Sequence, residues 1–144
     1  MINILNIQPN EPKARLFDYI ILVYGVGKAG KTTFFYKLAQ TDYVGGLDKA
    51  LLVGFEKGYK ALPGIYAVPI PSDDPDDKRD PWVQFQDLVD QLVEHRKVVT
   101  YRMIGLDTLD YMYKYATEYI IKRERIARKD AKIKAINDIP WGQG

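Results

Sequence analysis

Apolar residues group into short runs along the chain, and polar stretches rich in glycine or proline separate them. Four runs have the length and composition of buried strands; they cover 19–26, 50–55, 65–70 and 102–107. Pro69 and Pro71 place the third of these at a sheet edge or a strand end. A further short strand is expected at 2–7.

Three other segments carry apolar residues at the spacing of a helix face. The first covers 31–40 directly after a glycine turn, and the second covers 82–96 with Pro81 at its start. The third is a long helix over 108–136, followed by a terminal loop at 137–144. Strands that alternate with helices predict an α/β fold with a mostly parallel sheet.

The composition is typical of a folded, water-soluble domain. The 144 residues are 47% hydrophobic and 28% charged, which predicts one domain over 1–144 with 1–17 as its N-terminal segment. The apolar runs are shorter than the roughly 20 residues that cross a bilayer. The N-terminus also lacks a secretory signal pattern. We therefore expect an intracellular, cytoplasmic protein with no membrane partner.

Cysteine is absent, and histidine occurs once, at His95. This excludes disulfides, thiolate metal sites, cysteine nucleophiles and a zinc site built from histidines. A metal that takes part must be a hard cation held by oxygen ligands.

The glycine turn after the first apolar run satisfies the pattern GxxxxGK[ST], with the residues Gly25, Val26, Gly27, Lys28, Ala29, Gly30, Lys31 and Thr32. Glycines let successive backbone N–H groups wrap a phosphate, and the helix that opens between Gly30 and Thr33 adds unpaired N–H groups. Lys31 supplies a positive charge, and the Thr32 hydroxyl is an expected Mg²⁺ ligand. The alternative is a glycine turn that precedes a helix by chance. Lys28 either reaches a phosphate or stays solvated.

A carboxylate at the end of a neighbouring apolar strand is expected to help hold the Mg²⁺ ion. Asp107 ends the run 102–107 and fits this role. The alternative is that Asp107 caps the long helix that follows. Asp110 is expected in the first turn of that helix, where the helix dipole favours an acid.

Hydrolysis of a nucleotide also needs a group that orients or deprotonates water. Thr108 follows Asp107 and is not an acid, so the base lies elsewhere. Glu56 ends the run 50–55, at the strand end where ligands collect in open α/β sheets. The alternative is an ordinary exposed loop glutamate.

The GxxxxGKTT loop at 25–33, the segment FEKG at 55–58 and the segment IGLDTLD at 104–110 resemble the RecA-like, AAA-type P-loop ATPases of bacteriophages. The resemblance covers roughly 19–144. It implies a three-layer α/β/α fold that binds ATP and Mg²⁺ in the cytoplasm of a bacterial host. It also implies that Glu56 activates water and that Asp107 is the Walker B aspartate. Some members of this family act in single-strand annealing and recombination.

The resemblance further implies a strand that carries a polar sensor residue and lies between the phosphate-loop strand and the Walker B strand. Two strand–helix units are missing from the printed sequence, so we expect either a fragment of a longer protein or a reduced sheet without its last strands. The oligomeric state stays open, with a homo-oligomer among the possibilities.

Charge is segregated along the chain. Residues 111–144 contain eight Lys and Arg against four Asp and Glu, whereas residues 1–110 contain thirteen against fifteen. A positive stripe is predicted on the long helix, formed by Lys122, Arg125, Lys129 and Lys132. Single-stranded DNA is its expected partner, and the cations that lack an i,i+4 acid are Arg123, Arg125, Lys129 and Lys132. The alternative is a solvated surface with internal ion pairs such as Glu124 with Arg128.

Two other functions compete with a DNA-linked ATPase. One is a small-molecule kinase, in which Arg123, Arg125 and Arg128 would close as a lid on the transferred phosphoryl group. The other is a nucleotide-dependent binding or assembly module that does not hydrolyse its nucleotide.

Overall fold

The computed structural model describes residues 19–139. The strand expected at 2–7 and the last residues of the terminal loop lie outside this range. Within it, three α-helices and three β-strands follow one another in the order α1 (Lys31–Ala39), β1 (Ala50–Gly54), β2 (Tyr66–Pro69), α2 (Pro81–Glu94), β3 (Met103–Asp107) and α3 (Leu109–Arg128). The strands predicted at 50–55, 65–70 and 102–107 and the helices predicted at 31–40 and 82–96 are confirmed.

The three strands form one parallel sheet in the order β2-β1-β3. The central strand β1 is buried along its whole length, which explains its uninterrupted apolar sequence. The proline-containing strand β2 lies at one edge, as predicted. Parallel pairing brings the carboxyl ends of all three strands to the same side of the sheet. No helix in residues 19–139 has the length and apolar character needed to cross a membrane.

Helices cover both faces of the sheet because successive residues of β1 point to opposite sides. On one face, Ala39 of α1 packs with Val44 and Ala50. On the other face, Val53 and Phe55 pack with side chains that include Phe85 and Leu88 from α2 and Met112 and Tyr115 from α3. The result is a small α/β fold with a parallel three-stranded sheet.

The prediction of a strand directly before the phosphate loop is wrong. Residues 19–25 form no strand, and the side chains of Ile20 and Leu22 are exposed to 104% and 75%. A strand hides its backbone groups only when a neighbouring strand pairs with them. The resemblance requires a strand between this segment and β3, and no residue from 19 to 139 forms it. Ile104 and Leu106 of β3 are correspondingly half-exposed.

Helix α3 ends eight residues earlier than predicted. Lys129 follows it in the left-handed conformation, with φ 52°, and the backbone N–H of Asp130 donates to the carbonyl of Arg125. This arrangement satisfies carbonyls of the last helical turn and turns the chain away from the helix axis. Residues 129–136 therefore do not continue the face that α3 presents.

A close contact at Gly105 sets how α1 lies on the sheet. A Cβ atom at position 105 would be 2.5 Å from Cε2 of Phe35 and 3.1 Å from Cδ1 of Leu52. Glycine is therefore required here for the Phe35 ring of α1 to reach the sheet. The contact matters for the site because α1 begins at the phosphate loop.

We expect Gly105→Ala to destabilise the protein by about 1–3 kcal/mol, the usual cost of an overpacked core. Urea unfolding is the measurement. Gly58→Ala is the matched control, because a Cβ there meets nothing within 4 Å. A Gly105→Ala/Phe35→Leu double variant, in which a smaller side chain replaces the Phe35 ring, should recover part of the lost stability. Equal stability of the two single variants would show that the contact at Gly105 carries no energy.

Candidate nucleotide-binding site

The predicted phosphate loop forms the turn before α1. Lys28 and Gly30 both have positive φ, at 64° and 88°, and the N–H of Ala29 donates to the carbonyl of Val26 at 3.2 Å. Gly25 and Gly27 lie within the same turn, as the motif requires. A left-handed backbone at a non-glycine residue costs about 1 kcal/mol, and such strain is typical of functional loops.

The N-terminus of α1 is open to an anion. Its cap residue is Gly30, which has no side chain to occupy the first N–H groups, and the first turn contains no acidic residue. Thr32 and Thr33 both lie in this first turn. The positive end of the helix dipole is therefore uncompensated by a carboxylate, which fits a site for phosphate.

Lys31 folds back over the loop that precedes it. Its Nζ donates to the carbonyl of Gly25 at 2.9 Å and to that of Val26 at 3.1 Å. These contacts hold the ammonium group beside the loop N–H groups. The structure thus places the predicted phosphate-binding cation within the loop.

Thr32 and Asp107 meet across the carboxyl end of the sheet. The Thr32 hydroxyl donates to Oδ2 of Asp107 at 2.5 Å, although the two residues are 75 positions apart, and Asp107 is buried. The alternative role for Asp107, as the cap of α3, is wrong because Thr108 occupies the cap position. Asp110 lies in the first turn of α3, as predicted.

A hydroxyl next to a carboxylate is a donor set that suits Mg²⁺. No cluster of three or more His, Asp or Glu side chains that could hold a metal occurs within residues 19–139. A cation at this point would therefore depend on phosphate oxygens and water for its remaining ligands, as Mg²⁺ in phosphate sites commonly does. The residues fit a nucleotide-bound cation better than a resident metal.

Glu56 lies at the same edge of the sheet, and its backbone is tied to Asp107. The N–H groups of Phe55 and Glu56 both donate to the carbonyl of Asp107, at 2.7 and 3.2 Å. The Glu56 side chain is exposed at the start of a short 3₁₀ turn, Lys57–Ala61. The sequence predicted Glu56 as the water-orienting residue, and the structure brings its backbone close to Asp107.

The acidic loop at 71–80 holds the turn that follows Glu56, a contact that the sequence did not reveal. Asp73 accepts from Nζ of Lys60 at 2.7 Å and from Nζ of Lys57 at 2.9 Å, and these bonds lower the pKa of its carboxyl group. Loop residues of opposite charge have no periodic spacing, so the sequence offered no signal for this pairing.

Gln84 of α2 fixes the shape of this acidic loop from inside. The side chain is buried; its Oε1 accepts from the N–H of Ser72 at 2.8 Å, and its Nε2 donates to the carbonyl of Arg79 at 3.0 Å. Arg79 in turn bonds Asp77 and lowers the pKa of Asp77 to about 2. The sequence signal for this contact was that Gln84 is a polar residue on the apolar face of the predicted helix.

The predicted basic stripe does not form. Lys122 pairs with Asp80 at 2.8 Å, which raises the pKa of the lysine, and Arg125 donates to the carbonyl of Ile133. Because α3 ends at Arg128, Lys132 does not share its surface.

Glu124 is partner to two of the arginines. Arg128 bonds it at 3.0 Å, as the i,i+4 spacing predicted, and Arg123 bonds it at 3.2 Å, which the spacing did not predict. Both contacts lower the pKa of Glu124, with Arg128 the larger cause. Arg123 and Arg128 thus pair with Glu124 on α3, and Arg125 bonds the segment that follows the helix; these contacts do not favour a mobile kinase lid.

A parallel α/β sheet with a glycine loop, a following helix and an aspartate that meets the helix's first turn fits a P-loop-like nucleotide-binding domain. The chain belongs to the family described as "AAA domain", whose family model matches residues 18–144. The AAA-type family supports nucleotide binding and ATPase character.

One relative is the SPbeta prophage-derived uncharacterized protein YorG of Bacillus subtilis (strain 168). It is 28% identical over 129 residues, which cover 88% of this chain and 34% of the relative. The chain thus spans about a third of that protein's length. No solved structure is significantly similar to the chain.

Proposed function

We propose that this chain binds ATP with Mg²⁺ and hydrolyses it to ADP and phosphate. The contact between Thr32 and Asp107 is the observation that carries the proposal. It joins the first turn of the phosphate-loop helix to the end of β3, so that one hydroxyl and one carboxylate lie where a phosphate-bound cation would need them. Family membership supports the same class of activity.

In this proposal the phosphate loop binds the phosphates, and Thr32 and Asp107 bind the metal. The N–H groups from Gly25 to Thr33 surround the phosphates, and Lys31 moves its ammonium group from the loop carbonyls to the β- and γ-phosphate oxygens. Thr32 and Asp107 hold Mg²⁺, which supplies charge stabilisation during phosphoryl transfer.

Glu56 is the base in the proposal. The two N–H bonds to the Asp107 carbonyl fix the backbone at Glu56 beside the cation residues, while the exposed carboxylate stays accessible to water. The pairing of Asp73 with Lys57 and Lys60 holds the turn that follows. Orientation of the attacking water is the step that this carboxylate would carry.

We expect Lys31→Ala to abolish measurable ATP binding, because a charge-assisted contact to phosphate is lost. Isothermal titration calorimetry in the presence of Mg²⁺ measures the effect. Lys37→Ala is the matched control, since Lys37 is exposed in the last turn of the same helix. Wild-type affinity in the Lys31 variant would contradict the phosphate role of this loop.

Glu56→Gln should retain ATP binding and lose hydrolysis by about 10²–10⁴-fold, the usual contribution of a general base. Phosphate release at saturating ATP is the measurement, with binding followed separately. Glu94→Gln, an exposed change at the end of α2, is the control. An unchanged rate in the Glu56 variant would remove it as the base and leave a nucleotide-dependent binding module.

We also propose that the ATPase serves a phage DNA process, which the prophage origin of the relative supports. Lys129 and Lys132 are the two cations of the predicted stripe that lie beyond α3, and both are exposed. They give this chain a small basic surface for a single-stranded nucleic acid. Assembly into a homo-oligomer stays a prediction of the resemblance.

Single-stranded DNA should stimulate ATP hydrolysis, and Lys129→Glu/Lys132→Glu should weaken that effect. Affinity falls as salt rises, and loss of two phosphate contacts should make the slope of log affinity against log salt less negative by about 1.4. Fluorescence anisotropy at several salt concentrations measures it, with Lys37→Glu/Lys97→Glu as a charge-matched control at exposed positions. Equal slopes in the two double variants would exclude these lysines as the contact, and absence of any stimulation would exclude the DNA role.

A further inference from the structure

The hydroxyl of Thr108 is buried at the turn between β3 and α3. Its Oγ1 atom forms no hydrogen bond with any of residues 19–139. Thr108 follows Asp107 directly and precedes the first residue of α3. A buried hydroxyl of this kind is unusual, because most buried polar side chains are paired.

Helix capping does not account for this hydroxyl. Thr108 occupies the cap position of α3 with an extended backbone, φ −118° and ψ 159°, where threonine commonly accepts an N–H bond from the next turn. Here the side chain makes no such bond. The helix therefore gains its first backbone bond, from the N–H of Met112 to the Thr108 carbonyl, without help from the hydroxyl.

The neighbouring polar groups at this turn are already engaged. The Asp107 carboxylate accepts from Thr32, and the Asp107 carbonyl accepts from the N–H groups of Phe55 and Glu56. Within residues 19–139, the Thr108 hydroxyl is the buried side-chain polar atom that has no hydrogen-bond partner. Leaving it unpaired carries a desolvation cost, which a valine of the same shape would not incur.

We propose that Thr108 is a further ligand-contacting residue of the nucleotide site, and that ATP and Mg²⁺ binding shifts the turn between β3 and α3 so that its buried hydroxyl reaches a partner. The partner is an oxygen atom, supplied either by the γ-phosphate or by a water molecule of the Mg²⁺ shell. This inference rests on the proposed nucleotide binding. It assigns to the bound state a hydrogen bond that the fold alone does not make.

The test is Thr108→Val, which keeps the shape of the side chain and removes the hydroxyl. Without ligand, its Tm should equal or exceed that of the wild type, because no existing hydrogen bond is lost. Its Kd for a slowly hydrolysed ATP analogue with Mg²⁺ should rise about 10- to 100-fold, the range for a hydrogen bond to a charged group. Thr108→Ser should stay close to the wild type in both measurements.

Thr41→Val is the matched control, because the Thr41 hydroxyl donates to the Leu38 carbonyl at 2.7 Å, away from the site. It should lower the Tm and leave the Kd unchanged, which is the opposite pattern. Parallel titrations with ADP identify the oxygen. A Thr108→Val effect confined to the ATP analogue indicates the γ-phosphate, and an equal effect with ADP that requires Mg²⁺ indicates the metal's water.

Two results overturn the inference about Thr108 alone: a Tm below that of the wild type, or a wild-type Kd in a Thr108→Val variant. Either result applies to Thr108 alone when two controls hold: the wild type binds the analogue, and the Lys31→Ala variant does not. Failure of the wild type itself to bind the analogue would instead overturn the proposed function, and the Thr108 inference with it.

Discussion

The site depends on Asp107, because this one residue connects the three segments that carry its chemistry. Its carboxylate accepts from Thr32 and thereby fixes the start of α1 to the end of β3. Its carbonyl accepts from two N–H groups at the end of β1 and thereby fixes Glu56. The proposed cation-binding pair and the proposed water-orienting carboxylate therefore come to one edge of the sheet through a single residue, and small shifts of β3 would displace all of them together.

The packing of the sheet maintains that arrangement from both faces. On one side the Phe35 ring lies on the sheet at Gly105, two residues before Asp107, so the position of α1 is determined by contact and not only by the loop. On the other side, α2 and α3 cover Val53 and Phe55. The buried central strand β1 is thus held between two apolar layers, and the polar residues of the site occupy the one end where its backbone emerges.

Several charged side chains of residues 19–139 form ion pairs with one another. The acidic loop at 71–80 would look like a solvated segment, yet its carboxylates pair with lysines after β1 and, through Asp80, with Lys122 on α3. Glu124 likewise pairs with two arginines, Arg128 as the i,i+4 spacing predicted and Arg123, for which the spacing predicted no partner. The segregation of charge between the two parts of the chain therefore leaves a much smaller basic surface than the sequence count indicates.

The sequence determined the features that depend on neighbours along the chain. The phosphate loop, the start of α2 at Pro81, the edge position of β2 and the strand-end positions of Asp107 and Glu56 follow from local spacing, because turns and helix faces are set by residues a few positions apart. Tertiary structure alone decided what depends on distant partners. Segment 19–25 pairs with no described strand despite its apolar composition, and α3 ends at Arg128. The Thr108 hydroxyl has no partner within residues 19–139. Strand pairing, ion pairs and burial join residues that are far apart in sequence, so local patterns do not predict them.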